Sequence, residues 1–200
     1  NVDLGALDLS ADWITLAAKF IAKNEGFAKA AINDEGNPRL GFGSDKILDP
    51  STGQIRTVKY GDTTTVESAL KVLQYEVSET YKNRLVGSGP SKISQADFDA
   101  LNNKQKAACL SFVYNCGSFA NYPNIPAAIR AKDYAKAATG LLNGPTRGAK
   151  TGQLYEGLVR RRKEDKPGEE KENDVVVKSG NEGADADGEE VCVPIGPNQA

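Results

Sequence analysis

The side chains that could do chemistry in this chain are carboxylates. Histidine is absent from all 200 residues. That removes imidazole bases, His-based triads and His-ligated metal sites, and leaves acid–base work to Asp, Glu, Lys, Tyr or Cys. Two acids stand out by position. Glu25 ends an amphipathic stretch, and Asp34 follows nine residues later, just before a turn at Gly36. A helix followed by a hairpin can face two such groups across a cleft. Glycoside hydrolysis needs that arrangement: one carboxyl protonates the leaving oxygen while the other stabilises positive charge or activates water. The negative end of a helix also opposes ionisation of an acid seated there. The same two positions also suit a helix-ending Glu and a turn Asp with no chemistry between them, and spacing alone leaves both open.

The elements that must carry these acids follow from periodicity. Trp13, Leu16, Ala17, Phe20 and Ile21 recur at helical spacing, with Ser10 placed to cap the helix and Gly26 to stop it. From Phe27 to Tyr60, four glycines and two prolines punctuate short apolar stretches, which predicts a small twisted antiparallel sheet with tight turns. Helical spacing returns at Val66, Ala69, Leu70 and Leu73 and runs to about Asn83. Ser94 with Asp97 resembles a capping box. A strongly apolar helix is expected from about Lys104 to Cys116, ended by Gly117, with shorter helices near 126–131, 134–142 and 154–163. The expected fold class is α+β, mainly helical, with one small β region near the N-terminus.

Composition narrows the partners. No apolar run is long enough to span a bilayer, and no membrane partner is expected. From Lys163 onward the chain has four Lys against eleven Asp plus Glu; before it, 21 basic side chains face 16 acidic ones. A mildly cationic body suits an anionic partner, although solvated surface lysines account for the same charge. No helix–turn–helix, zinc finger or RNA-binding signature accompanies it, so nucleic acid is not expected either. Cys109 and Cys116 lie about 10 Å apart along one helix, too far for a disulfide, and with Cys192 they form no zinc ligand set. Met is absent and the chain begins at Asn1, which suggests a processed or excised piece of a longer protein. Residues 1–166 read as one domain and 167–200 as an acidic, extended tail or linker.

The segments Glu25-Gly26-Phe27, Asp34 and Gly41-Phe42-Gly43 resemble the phage-type lysozymes of glycoside hydrolase family 24. The first helix of those enzymes ends in Glu-Gly, and a β hairpin then brings an Asp and a Gly-x-Gly. Residues 107–117, Ala-Ala-Cys-Leu-Ser-Phe-Val-Tyr-Asn-Cys-Gly, are similar to that family's buried central helix ending Phe-x-x-Asn-x-Gly. Residues 157–162, Gly-Leu-Val-Arg-Arg-Arg, are similar to its C-terminal Gly-Leu-x-x-Arg-Arg signature. The resemblance covers roughly Ala11 to Glu164, with the motifs in order. It implies a lysozyme-like fold and a muramidase that cleaves the β-1,4 bond between N-acetylmuramic acid and N-acetylglucosamine in peptidoglycan. Glu25 would then be the general acid and Asp34 the base for an attacking water. No metal or organic cofactor is implied, since two carboxylates suffice.

The departures from the family pattern are local. Thr usually stands two residues before Gly-x-Gly and His just after; here Arg39 and Ser44 occupy those places, and the turn between Asp34 and Arg39 is one residue shorter. Arg39 can pair with Asp34 or grip an acidic substrate group, or simply form a salt bridge to Asp34 or Glu35. Ser44 stands as a substrate contact or an ordinary turn residue. Asn115 stands as a polar group closing the cleft beneath the acid, or as a helix-end hydrogen bonder. Arg39-Leu-Gly-Phe-Gly-Ser-Asp45 resembles a variant pattern of lysozyme-like domains of phage particles. That implies a virion-associated, tail-borne protein or one released to the bacterial wall or periplasm, whose acidic tail meets other phage structural proteins. Two alternatives remain at this level: a lytic transglycosylase using Glu25 alone, and a non-enzymatic lysozyme-fold module of a virion tail or baseplate.

Overall fold

A computed structural model of the chain describes residues 2–144. The expected helix at 154–163, the arginines at 160–162, Cys192 and the acidic segment 167–200 lie outside the described residues. The first helix, α1 (Trp13–Asn24), is capped by Asp12, not by Ser10. The Asp12 carboxylate accepts from the backbone N–H groups of Ile14 and Thr15 at 3.0 Å each, filling two of the donors a helix start leaves open. Ser10 instead turns its hydroxyl to Asp8.

The β region is two separate two-stranded antiparallel sheets, where the sequence suggests one. In the first, β1 (Ala28–Asp34) pairs with β2 (Asn37–Gly41). The two strands are joined by Glu35 and Gly36, both at positive φ (47° and 89°), as a tight hairpin of this hand requires. The second sheet pairs β3 (Lys46–Leu48) with β4 (Ile55–Thr57).

Beyond the sheets, α2 (Val66–Glu76) runs into a π-helical turn (Val77–Tyr81) and then α3 (Lys82–Leu85), where periodicity predicts one helix. Ser94 caps α4 (Gln95–Ala100), but the reciprocal capping box belongs to α5 (Asn103–Cys116), where Asn102 and Gln105 exchange bonds at 3.0 Å. The last described helices are α6 (Asn124–Arg130) and α7 (Tyr134–Leu142).

The core forms around α5, whose Ala107, Ala108, Cys109, Leu110, Phe112 and Val113 are fully buried. Phe112 stacks on Phe119 at 4.9 Å and meets Tyr122 edge-on at 5.2 Å; its loss would cost roughly 3–5 kcal/mol. Gly117 ends α5 at φ 79°, its N–H returning to the Val113 carbonyl at 2.7 Å. Cys109 is a buried free thiol within this core. The fold is therefore α+β, a helical lobe built on a buried central helix with a small hairpin lobe beside it. No helix among the described residues is long and apolar enough to cross a membrane.

Candidate active site

The site is organised by the loop from Gly41 to Ser44. Gly41 has φ 63°, and a Cβ there would lie 2.9 Å from the Ala69 Cβ of α2, so only glycine lets the loop pass this close. Leu40 and Ser44 exchange backbone hydrogen bonds at 3.1 and 3.0 Å, closing the turn. From α5, the Tyr114 hydroxyl donates to the Phe42 carbonyl at 3.1 Å.

Asp34 and the segment that carries Glu25 both reach this loop. Helix α1 ends at Asn24, whose side chain donates to the Phe20 carbonyl at 2.7 Å, and Glu25 leaves the helix in extended conformation, half-buried. Two residues on, the Phe27 ring packs on Phe42 at 5.3 Å, which ties the Glu25 segment to the loop. Asp34 stands at the end of β1 with its side chain 54% exposed, 2.7 Å from Arg39 Nε. The Nε–H does not point along that contact, which makes it an ion pair rather than an aligned hydrogen bond. Arg39 Nη1 donates to the Gly43 carbonyl at 3.2 Å. Arg39 thus spans from Asp34 to the loop. Of the three readings open for it, the geometry is the pairing with Asp34, not with Glu35.

Ser44 points inward. It is buried, its hydroxyl donates to Glu76 and accepts from the Lys46 N–H at 3.0 Å, so both functions of the hydroxyl are used within the protein. Asn115 is also buried, on α5 next to Tyr114. The structure therefore brings Asp34, Arg39 and the loop together at the surface and sets Ser44 behind them, while Asn115 is buried on α5.

Two acids behind the loop escaped the sequence reading. Glu76, 3% exposed, closes α2, and Asp45, 4% exposed, has both carboxylate oxygens buried without a hydrogen-bond partner among the described residues. Burial raises Glu76 to about 7, the Asp45 charge adds to the rise, and Ser44, Lys46 and Arg39 pull the other way. A signal for Glu76 exists in the sequence: it lies seven residues after Ala69 and three after Leu73, on the apolar stripe of α2. Asp45 closes the Arg39-Leu-Gly-Phe-Gly-Ser-Asp45 pattern, but nothing in the spacing marks it as buried. Among the described residues, no cluster of His, Cys, Asp or Glu has the makings of a metal site.

The family model for phage lysozyme matches residues 22–165 of the chain. No curated protein matches it.

Proposed function

The chain belongs to the phage lysozyme family, a family of glycosidase-type peptidoglycan hydrolases, and from that premise we propose that it is a muramidase acting on the β-1,4 bond between N-acetylmuramic acid and N-acetylglucosamine. Glu25 protonates the leaving glycosidic oxygen and Asp34 takes a proton from the attacking water. The observation that carries this assignment is the shared loop: Phe27 on Phe42 anchors the Glu25 segment to it, and Arg39 anchors Asp34 to it. The segment that carries Glu25 and the carboxylate of Asp34 are thereby tied to one turn, which supports their acting together, since proton transfer needs fixed distances.

Arg39 takes over part of the duty of the family's Thr. It has no acceptor with which to orient a water, so it orients Asp34 instead. That same observation favours a second reading, a lytic transglycosylase. With no hydroxyl at position 39, the muramic acid 6-hydroxyl attacks in place of water and Glu25 alone carries the chemistry. The domain of residues 1–166 would act on the wall, and the acidic segment 167–200 would associate with other components of a phage particle. The charge contrast either side of Lys163 supports this division.

Digestion of purified peptidoglycan followed by mass spectrometry tests the reading. Reducing N-acetylmuramic acid ends are expected; 1,6-anhydro ends would turn the assignment to transglycosylase. No new glycan ends from folded protein would overturn both.

A further inference from the structure

We propose that Glu76 is a positioning residue for this site, a buried acid of α2 that sets, through Ser44, the loop on which Arg39 and Asp34 are held. The inference rests on the reading of Asp34 as the reacting carboxylate. Each link is a polar contact. Glu76 accepts from the Ser44 hydroxyl. Ser44 closes the turn with Leu40 through two backbone hydrogen bonds. The Gly43 carbonyl within that turn accepts from Arg39 at 3.2 Å, and Arg39 lies 2.7 Å from Asp34. The chain of contacts runs from the interior of the helical lobe to an exposed carboxylate. An apolar side chain on the α2 stripe would pack there without the cost of desolvating an acid. What the acid adds is a fixed acceptor for Ser44.

The groups around Glu76 make this link sensitive to pH. Asp45 approaches from the loop, Arg39 from β2, Lys46 from β3, and Tyr81 from the π-turn, with the Arg84 guanidinium 5.6 Å above the Tyr81 ring. While Glu76 is protonated, Asp45 is the other acid of the pair and Arg39 serves Asp34. Ionisation of Glu76 puts a second negative charge into the same buried space. Arg39, whose charge already acts on Glu76, is then drawn between two acids, and its hold on Asp34 weakens.

The test follows the Asp34 side-chain carboxyl resonance by NMR, together with kcat and KM on solubilised peptidoglycan, across pH 5–9. It compares wild type, Glu76→Gln and Glu76→Leu. Gln keeps an acceptor for Ser44 but cannot ionise, whereas Leu removes the acceptor. In wild type the Asp34 resonance should show a step at about pH 7, and kcat should fall above that step with KM little changed. Glu76→Gln should lose the step and the fall, and Glu76→Leu should lower kcat on the order of tenfold at every pH. A wild-type Asp34 resonance without the step, with kcat profiles of wild type and Glu76→Gln superimposed, would overturn the proposal whatever happens to the melting temperature. If Glu76→Leu does not fold, the Gln comparison decides alone. The resonance needs no turnover, so the two readings fail separately. A step in a protein that leaves peptidoglycan intact refutes the muramidase, and cleavage without a step refutes the positioning role.

Discussion

Two charged clusters border the hairpin lobe and are built on opposite terms. In one, Arg56 lies between Asp49 and Asp62, with Nε 2.7 Å from Asp49 and two nitrogens on Asp62 at 2.7 and 2.9 Å. Each acid also accepts a backbone N–H, from Ser51 and Lys59, at 2.7 Å. Hydrogen bonding to Arg56 holds both acids below their ordinary range, Asp62 down to about 2. In the other cluster, Glu76 and Asp45 share one buried space; among the described residues the Ser44 hydroxyl donates to Glu76, and the Asp45 oxygens have no hydrogen-bond partner. The first cluster is satisfied and partly exposed; the second is frustrated and buried. A satisfied cluster fixes the shape of the second sheet over the whole neutral range, whereas a frustrated one beside the Gly41–Ser44 loop changes state near neutrality.

The linkage signs differ accordingly. Asp62 has a depressed folded value, so its stabilisation is present above the ordinary carboxylate range and is lost as pH falls through about 2. Glu76 has a raised one. Its contribution is complete below the unfolded value of about 4.5 and is lost as pH rises through about 7.

The contrast breaks most severely at the loop backbone. Gly41→Ala places a Cβ 2.9 Å from Ala69 in a residue at φ 63°, and should cost roughly 2–3 kcal/mol and most of the activity, seen by urea unfolding and by release of glycan ends. Removing the frustration itself should do the reverse. Glu76→Gln should leave the melting temperature nearly unchanged at pH 4 and raise it at pH 8, by a free energy of at most on the order of 3 kcal/mol. A difference that does not grow with pH would count against the buried acid. The satisfied cluster should respond more weakly. Arg56→Ala should lower the melting temperature by a few degrees, less in high salt, with unchanged activity per folded molecule. Smallest in stability is Arg39→Thr, because an ion pair with one exposed partner contributes only about 0–1 kcal/mol. It should not raise activity either, since Thr in this shortened turn recovers a hydroxyl but loses the tie to Gly43. A large gain in glycan cleavage would show that the Thr duty is vacant and that the loop adapts.

The legible parts of the molecule are those whose spacing meets one environment. The stretches from about Lys104 to Cys116 and 134–142 read as helices because their apolar positions face a single core, and Glu25 and Asp34 stood out because each sits where an element ends. Competition between neighbours hid the rest. Asp12 outdoes Ser10 as a cap because Asp8 takes the serine. The π-turn after Glu76 shifts the helix face without interrupting its apolar pattern, so nothing in the spacing announces it. Ser44 has the look of a turn residue, and its burial depends on an acid 32 positions away that helical periodicity assigns to the core. Acids that serve through burial rather than exposure are the hardest to see, because sequence patterns equate charge with surface.

The most direct measurement is cleavage of purified peptidoglycan by Glu25→Gln, with Asp34→Asn beside it and melting curves of both. Glu25→Gln keeps the shape and polarity of the side chain but removes the transferable proton. Activity should fall by at least the ~10²–10⁴-fold that proton donation typically contributes, with an unchanged melting curve. Asp34→Asn should be severely impaired if water is the nucleophile and only mildly if the muramic hydroxyl attacks. Near-wild-type cleavage by a normally folded Glu25→Gln would contradict the assignment of Glu25 as the acid, and the mechanism with it.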